Sequence, residues 1–140
     1  MYYVFTLHPF CVKMFCVNTK CVQNAFIMEK NMKLAIVGSR TLTNIALERY
    51  VMKGVKEIVS GGAVGVDSCA AEYAKSKGLK LTEFYPEYEL YGRAAPIVRN
   101  KKIVDYADYI IAFWDGKSKG TLSVIKYAEK IGKACKIIDC

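Results

Sequence analysis

Histidine, proline and tryptophan are scarce in this chain, at one, three and one in 140 residues. The single histidine, His8, stands far along the chain from every glycine-bearing loop, and no two of the six cysteines form a C-x-x-C pair. A zinc site or a Cys–His nucleophile therefore has little to be built from. Neither a metal nor a cofactor is expected. No stretch approaches the roughly 20 uncharged apolar residues that a membrane span needs, so a membrane is not among the expected partners. Low-complexity tracts and internal repeats are absent too. Cys69 falls on the apolar face of a helical pattern and Cys135 opens a strand-like run, so both read as small buried hydrophobes. A reducing, cytoplasmic compartment is the expectation.

Glycine is missing from the first thirty residues. That segment also lacks the basic start of a signal peptide, and Lys13 and Lys20 interrupt its apolar run. At Met32 the pattern changes to Met32-Lys33-Leu34-Ala35-Ile36-Val37-Gly38, which reads as a first core strand. Translation is expected to start at Met32 or Met28, with residues 1–31 an N-terminal extension and start-site artefact. The competing reading is an appended strand or hairpin that packs on the domain.

Residues 32–140 are enough for one well-buried core. Apolar runs at 33–37, 55–59, 80–85, 109–113 and 134–138 alternate with helical patterns at 44–52, 66–77, 96–105 and 122–131. Thr41 or Thr43 is the expected cap of the first helix. The strand runs are continuous rather than alternating, as when both sheet faces are covered. Short loops between strand and helix predict an α/β fold, a Rossmann-like, doubly wound parallel sheet of about five strands in a single domain. In sequence numbering the expected strand order is 3-2-1-4-5. Ligands of such sheets bind beyond the carboxyl ends of the strands, where the order reverses.

Three strand-to-helix turns meet at that crevice. Gly38-Ser39-Arg40 follows the first strand, Ser60-Gly61-Gly62-Ala63-Val64-Gly65-Val66-Asp67 follows the second, and the 114–121 loop follows the fourth. Glycine lets backbone approach a ligand, and a helix start offers free N–H groups and a positive dipole end to an anion. The formal net charge of +8 also favours anionic partners, although its lysines are scattered over helix faces as on an ordinary solvated surface. The expected phosphate place is the Gly61-Gly62 turn with the start of the helix at 66.

Each residue also has a plainer reading. Asp67 suits any helix start, and Thr121 reads most simply as an N-cap. Trp114 either stacks on a base or packs under its loop. Tyr85, Tyr88 and Tyr91 either cover the crevice or pack on the surface. Asn100, inside a helix where asparagine is unfavourable, points to a side chain in use.

Taken together, Gly38-Ser39-Arg40, Ser60-Gly61-Gly62-Ala63-x-Gly65-x-Asp67, Arg99-Asn100 and the Gly120-Thr121 loop resemble the SLOG superfamily of Rossmann-like domains. Within it the pattern is most similar to the small YspA-like branch, and the superfamily also includes the phosphoribohydrolases and the DNA-processing protein A family. The resemblance implies a nucleotide or nucleotide-derived ligand, held by a sensor or ligand-binding module. Its site would comprise Gly38, Ser39, Arg40, Ser60, Gly61, Gly62, Gly65, Asp67, Arg99, Asn100, Asp115, Gly120 and Thr121. The phosphoribohydrolases carry a Pro-Gly-Gly-x-Gly-Thr-x-x-Glu loop. Here proline is absent, the double glycine is broken, and Val124 stands at the glutamate position, so no catalytic residue carries over. The alternatives are a nucleotide or nucleoside-phosphate hydrolase and, third, single-stranded nucleic-acid binding. Homo-oligomerisation stays open.

Overall fold

The computed structural model describes residues 12–15 and 31–140. Six strands form one sheet: β1 Val12–Phe15, β2 Met32–Gly38, β3 Val55–Ser60, β4 Lys80–Glu83, β5 Tyr109–Trp114 and β6 Cys135–Asp139. Helix α1 is Val66–Lys77, α2 a single turn at Tyr88–Tyr91, α3 Ala95–Tyr106 and α4 Lys119–Ile131.

The spatial order is β1-β6-β5-β2-β3-β4. Strands β2 to β6 are parallel throughout, and their arrangement is the order expected from the sequence. The domain is therefore a Rossmann-like α/β fold. Strand β1 adds an antiparallel edge, with Val12 opposite Ile138 and Phe15 opposite Cys135. Otherwise the segment preceding Asn31, His8 and the three N-terminal cysteines included, lies outside the described residues. None of the described helices is long and apolar enough to cross a membrane.

The continuous apolar strands have a direct physical reason. Successive side chains point to opposite faces, and each face meets its own core. Leu34, Ile36, Ile58, Ile111 and Phe113 pack with Val66, Ala70 and Ala74 of α1 on one side. Ala35, Val37, Val59, Ile110 and Ala112 pack with Ile103 and Val104 of α3 and with Val124, Ile125 and Ala128 of α4 on the other.

Three local expectations are corrected. The helix expected over 44–52 is a single 3-10 turn, Leu47–Arg49, without a side-chain cap. Asn44 takes a left-handed φ of 57°, and the β-branched Thr41, Thr43, Ile45 and Val51 weaken helix formation. The segment still buries Leu47 and packs Leu42, Ile45, Tyr50 and Met52 on the core. Helix α4 begins at Lys119 rather than at 122, because Ser118 and not Thr121 is its N-cap. Strand β4 stops at Glu83 rather than at 85, and beyond it Phe84 packs on the core against Tyr106 while Tyr85 lies over Gly62.

Candidate functional site

A cleft opens where β2 and β5 end, bounded by the loop after β3, by α3 and by the start of α4. Arg40, Asp67, Arg99, Ser118, Gly120 and Thr121 supply its polar lining. Its volume is about 110 Å³, against roughly 10–15 Å³ for one water on the same measure. It has room for a small anionic group and its first few neighbours.

The glycine loop after β3 is narrow because the protein's own atoms fill it. A Cβ on Gly61 would stand 2.5 Å from Arg99 Nη1 and 2.9 Å from Asp67 Oδ2. A Cβ on Gly62, which has φ +66°, would meet the Tyr85 ring. Gly65, at φ +83°, would place a Cβ 2.6 Å from the Arg40 carbonyl oxygen. Gly38 lets α1 close on β2, since a Cβ there would lie 2.5 Å from Val66 Cγ2. Ser60 is buried, and its hydroxyl accepts from Gly62 N at 3.4 Å.

Asp67 is buried, and its Oδ2 turns back to accept the Ala63 N–H at 3.2 Å. Burial raises its pKa, and the Ala63 N–H and the Arg99 charge pull the other way. The carboxylate thus pins the loop while standing beside a cation. Arg99 Nη1 donates to the Gly61 carbonyl at 2.5 Å and to that of Phe84 at 3.3 Å. Its Nε donates to Asn100 Oδ1 at 2.9 Å, and the residue lines the cleft. Burial lowers the Arg99 pKa and the Asp67 charge opposes that shift; the nearby Arg40 charge lowers it further.

Asn100 answers the question its helix position raised. Buried in α3, it donates from Nδ2 to the Gly120 carbonyl at 3.2 Å and to Ser123 Oγ at 2.8 Å, joining α3 to the start of α4. Ser118 Oγ accepts from Thr121 N at 3.3 Å and from Thr121 Oγ1 at 3.1 Å. In the first turn of a helix the N–H groups lack carbonyl partners within the helix. Those of Lys119 and Gly120 have none among the described residues. Beyond the Cα of Gly120 there is open space, with only Ser118 Oγ at 4.0 Å from a built Cβ.

Asp115 lies behind the cleft rather than in its lining. Its Oδ1 accepts the N–H groups of Lys117 and Ser118 at 2.9 and 2.8 Å, and Oδ2 accepts from Thr41 Oγ1 at 3.2 Å. These donors hold its pKa down at about 2. Buried Ser39 accepts from Asp115 N at 3.3 Å and ties the first turn to the third. Trp114 donates from Nε1 to the Ser118 carbonyl at 3.1 Å and packs under the loop.

Of the residues singled out from the sequence, Gly38, Arg40, Gly61, Asp67, Arg99, Asn100, Gly120 and Thr121 line the cleft. Ser39, Ser60, Gly62, Gly65 and Asp115 support it from outside that lining. Sequence reasoning passed over Ser118, although serine before a Lys-Gly-Thr helix start is an N-cap signal. It also passed over Pro96 and Ala63, which complete the wall.

Residues 22–80 match the family described as DNA recombination-mediator protein A. The match covers under half of the chain and supports its resemblance to SLOG-type domains. It spans β2, β3 and α1, and with them the Gly38 turn and the glycine loop. Neither the curated proteins nor the solved structures contain a match to the chain. What the cleft can do follows from its charges. Two guanidinium groups and an open helix start face one carboxylate, Asp67, among the described lining residues. Val124, buried in that lining, offers no proton. The arrangement can hold an anion.

Proposed function

We propose that the chain binds a nucleotide or nucleotide-derived ligand in this cleft, as a sensor or ligand-binding module of the YspA-like kind. The phosphate lies at the start of α4, against the N–H groups of Lys119 and Gly120 and the hydroxyls of Ser118 and Thr121, with Arg40 and Arg99 on the opposite side. The observation that carries this reading is the meeting of two arginines with an unobstructed helix start in one cleft. Such a helix start binds phosphate through its N–H groups and dipole, and planar guanidinium groups bind it through paired donors.

This moves the phosphate from the Gly61-Gly62 turn to the third loop. The turn is filled by Arg99 and Tyr85, whereas Gly120 faces open space. The hydrolase alternative is weakened by the engagement of both nearby carboxylates, Asp67 with Ala63 and Asp115 with its own loop. The cellular setting in this reading is the cytoplasm.

Titration calorimetry with adenosine monophosphate tests the proposal. The parent should bind, and Arg40→Gln should weaken binding about tenfold or more, the scale of one charge-assisted contact. An unchanged affinity in the Arg40→Gln/Arg99→Gln protein, checked for folding by circular dichroism, would remove the basis of the reading. Salt separates it from single-strand nucleic-acid binding. One phosphate gives a shallow dependence, whereas several phosphate contacts give a steep one.

A further inference from the structure

The cleft explains where an anion goes but not the exposed aromatic surface beside it. Tyr85 and Tyr88 are 61% and 58% exposed, although aromatic rings contribute most when buried. The Tyr85 ring is held in place. Tyr85 lies over Gly62 so closely that no Cβ fits between them, and its hydroxyl donates to Glu83. The preceding residue, Phe84, is held on both sides: its N–H donates to Ser60 at 2.9 Å and its carbonyl accepts from Arg99. Tyr88 opens the single-turn helix α2, three residues beyond Tyr85. Lys102 anchors the rest of the segment, bonding to Glu87 and lying 5.6 Å from the Tyr91 ring centre. The Tyr85 ring is thus fixed beside the loop that Arg99 holds, with the exposed Tyr88 three residues further along the same segment.

Arg99 lines the cleft and also holds the Phe84 carbonyl, so the chain just before Tyr85 borders it. A base carried by a phosphate in the cleft can reach the tyrosines on that side. We infer that Tyr85 and Tyr88 form a stacking platform for a nucleobase, so that the site takes nucleoside phosphates rather than sugar phosphates or inorganic phosphate. This rests on the nucleotide reading above and adds the element that selects among phosphates. Stacking on an aromatic face tolerates any base, so the platform selects for the presence of a base more than for its identity.

The test compares adenosine monophosphate with ribose 5-phosphate by calorimetry on the full chain. The parent should bind the nucleotide about 5- to 150-fold more tightly, the range implied by about 1–3 kcal/mol per stacked base. In Tyr85→Ala/Tyr88→Ala that ratio should fall to near one, with ribose 5-phosphate affinity unchanged. Tyr85→Phe, which keeps the ring and loses the bond to Glu83, should retain most of it. Arg40→Gln should weaken both ligands together and leave their ratio intact. A parent that binds both equally would overturn the platform while leaving the phosphate site standing. A parent that binds neither would overturn both. If the double alanine variant keeps the ratio but changes the sedimentation coefficient, the rings form a protein contact and the inference is wrong.

Discussion

Replacing Gly120 should separate binding from stability. Gly120 is the second residue of α4, its backbone is helical, and a Cβ there meets nothing closer than Ser118 Oγ at 4.0 Å. Glycine in a helix costs about 0.5–1 kcal/mol relative to alanine. Gly120→Ala should therefore hold or raise stability by up to that amount, a rise in Tm of about 2–4 °C per kcal/mol for a domain of this general size. Gly120→Leu places a branched side chain in a cleft of only about 110 Å³, over the N–H groups proposed to hold phosphate. Its affinity for adenosine monophosphate should fall at least tenfold, about 1.4 kcal/mol, with Tm no lower than the parent's by more than a degree or two. Circular dichroism melts and calorimetry on the same preparations read both quantities. Gly62→Val would be a poor substitute, since its positive φ and the Tyr85 ring make it a test of folding. Parent-like affinity in Gly120→Leu would refute the placement of the phosphate, and a Tm drop of several degrees would refute the open space.

Other outcomes follow from the carboxylates and the termini. Burial raises the pKa of Asp67, so as pH falls the folded chain takes up this proton before the unfolded chain does, and stability gains. Asp67→Asn should lose that gain in melts compared between neutral pH and pH 3; an identical pH profile would contradict the burial argument. Asp115 behaves oppositely: held at about 2 against an ordinary 3.8, it loses stabilisation as pH falls between those values. Asp115→Asn should flatten that limb, and an unaltered acid limb would count against its role in the loop. Removing residues 1–31 should leave Tm within a few degrees and ligand binding intact, because β2 to β6 and the four described helices lie beyond the cut; a larger fall would show that β1 stabilises the sheet. Incubated with adenosine monophosphate or a cytokinin-type monophosphate, the protein should release no free base above background on chromatography, since bond cleavage needs a positioned proton donor or base. Base release abolished by Asp67→Asn would reverse that expectation.

Much of the fold was legible because parallel βα units constrain one another. Continuous apolar runs announced two covered faces, short loops forced parallel strands, and the expected order brought the Gly38, Gly61 and Gly120 loops to one end. Legibility ended where distant side chains decide local structure. Nothing near Gly61 in sequence indicates that Arg99, 38 residues on, occupies its turn, or that Tyr85 covers Gly62. Glycines that look like room for a ligand are there partly as room for the protein itself. Asp115 shows the same limit, since its own loop uses one carboxylate oxygen and Thr41 the other. At 44–52 the apolar spacing was sufficient for a helix, but Asn44 turns left-handed and the segment buries its side chains without one.

The most direct measurement is an amide-resolved NMR titration of the 15.7 kDa chain with adenosine monophosphate. A phosphate at the start of α4 accepts hydrogen bonds from the Lys119 and Gly120 N–H groups, so these two resonances should move furthest and saturate together with the Arg99 side-chain Nε signal. Saturable shifts centred on Gly61 and Gly62, with Lys119 and Gly120 unmoved, would contradict the phosphate position. No saturable shift anywhere in the cleft would contradict nucleotide binding there altogether.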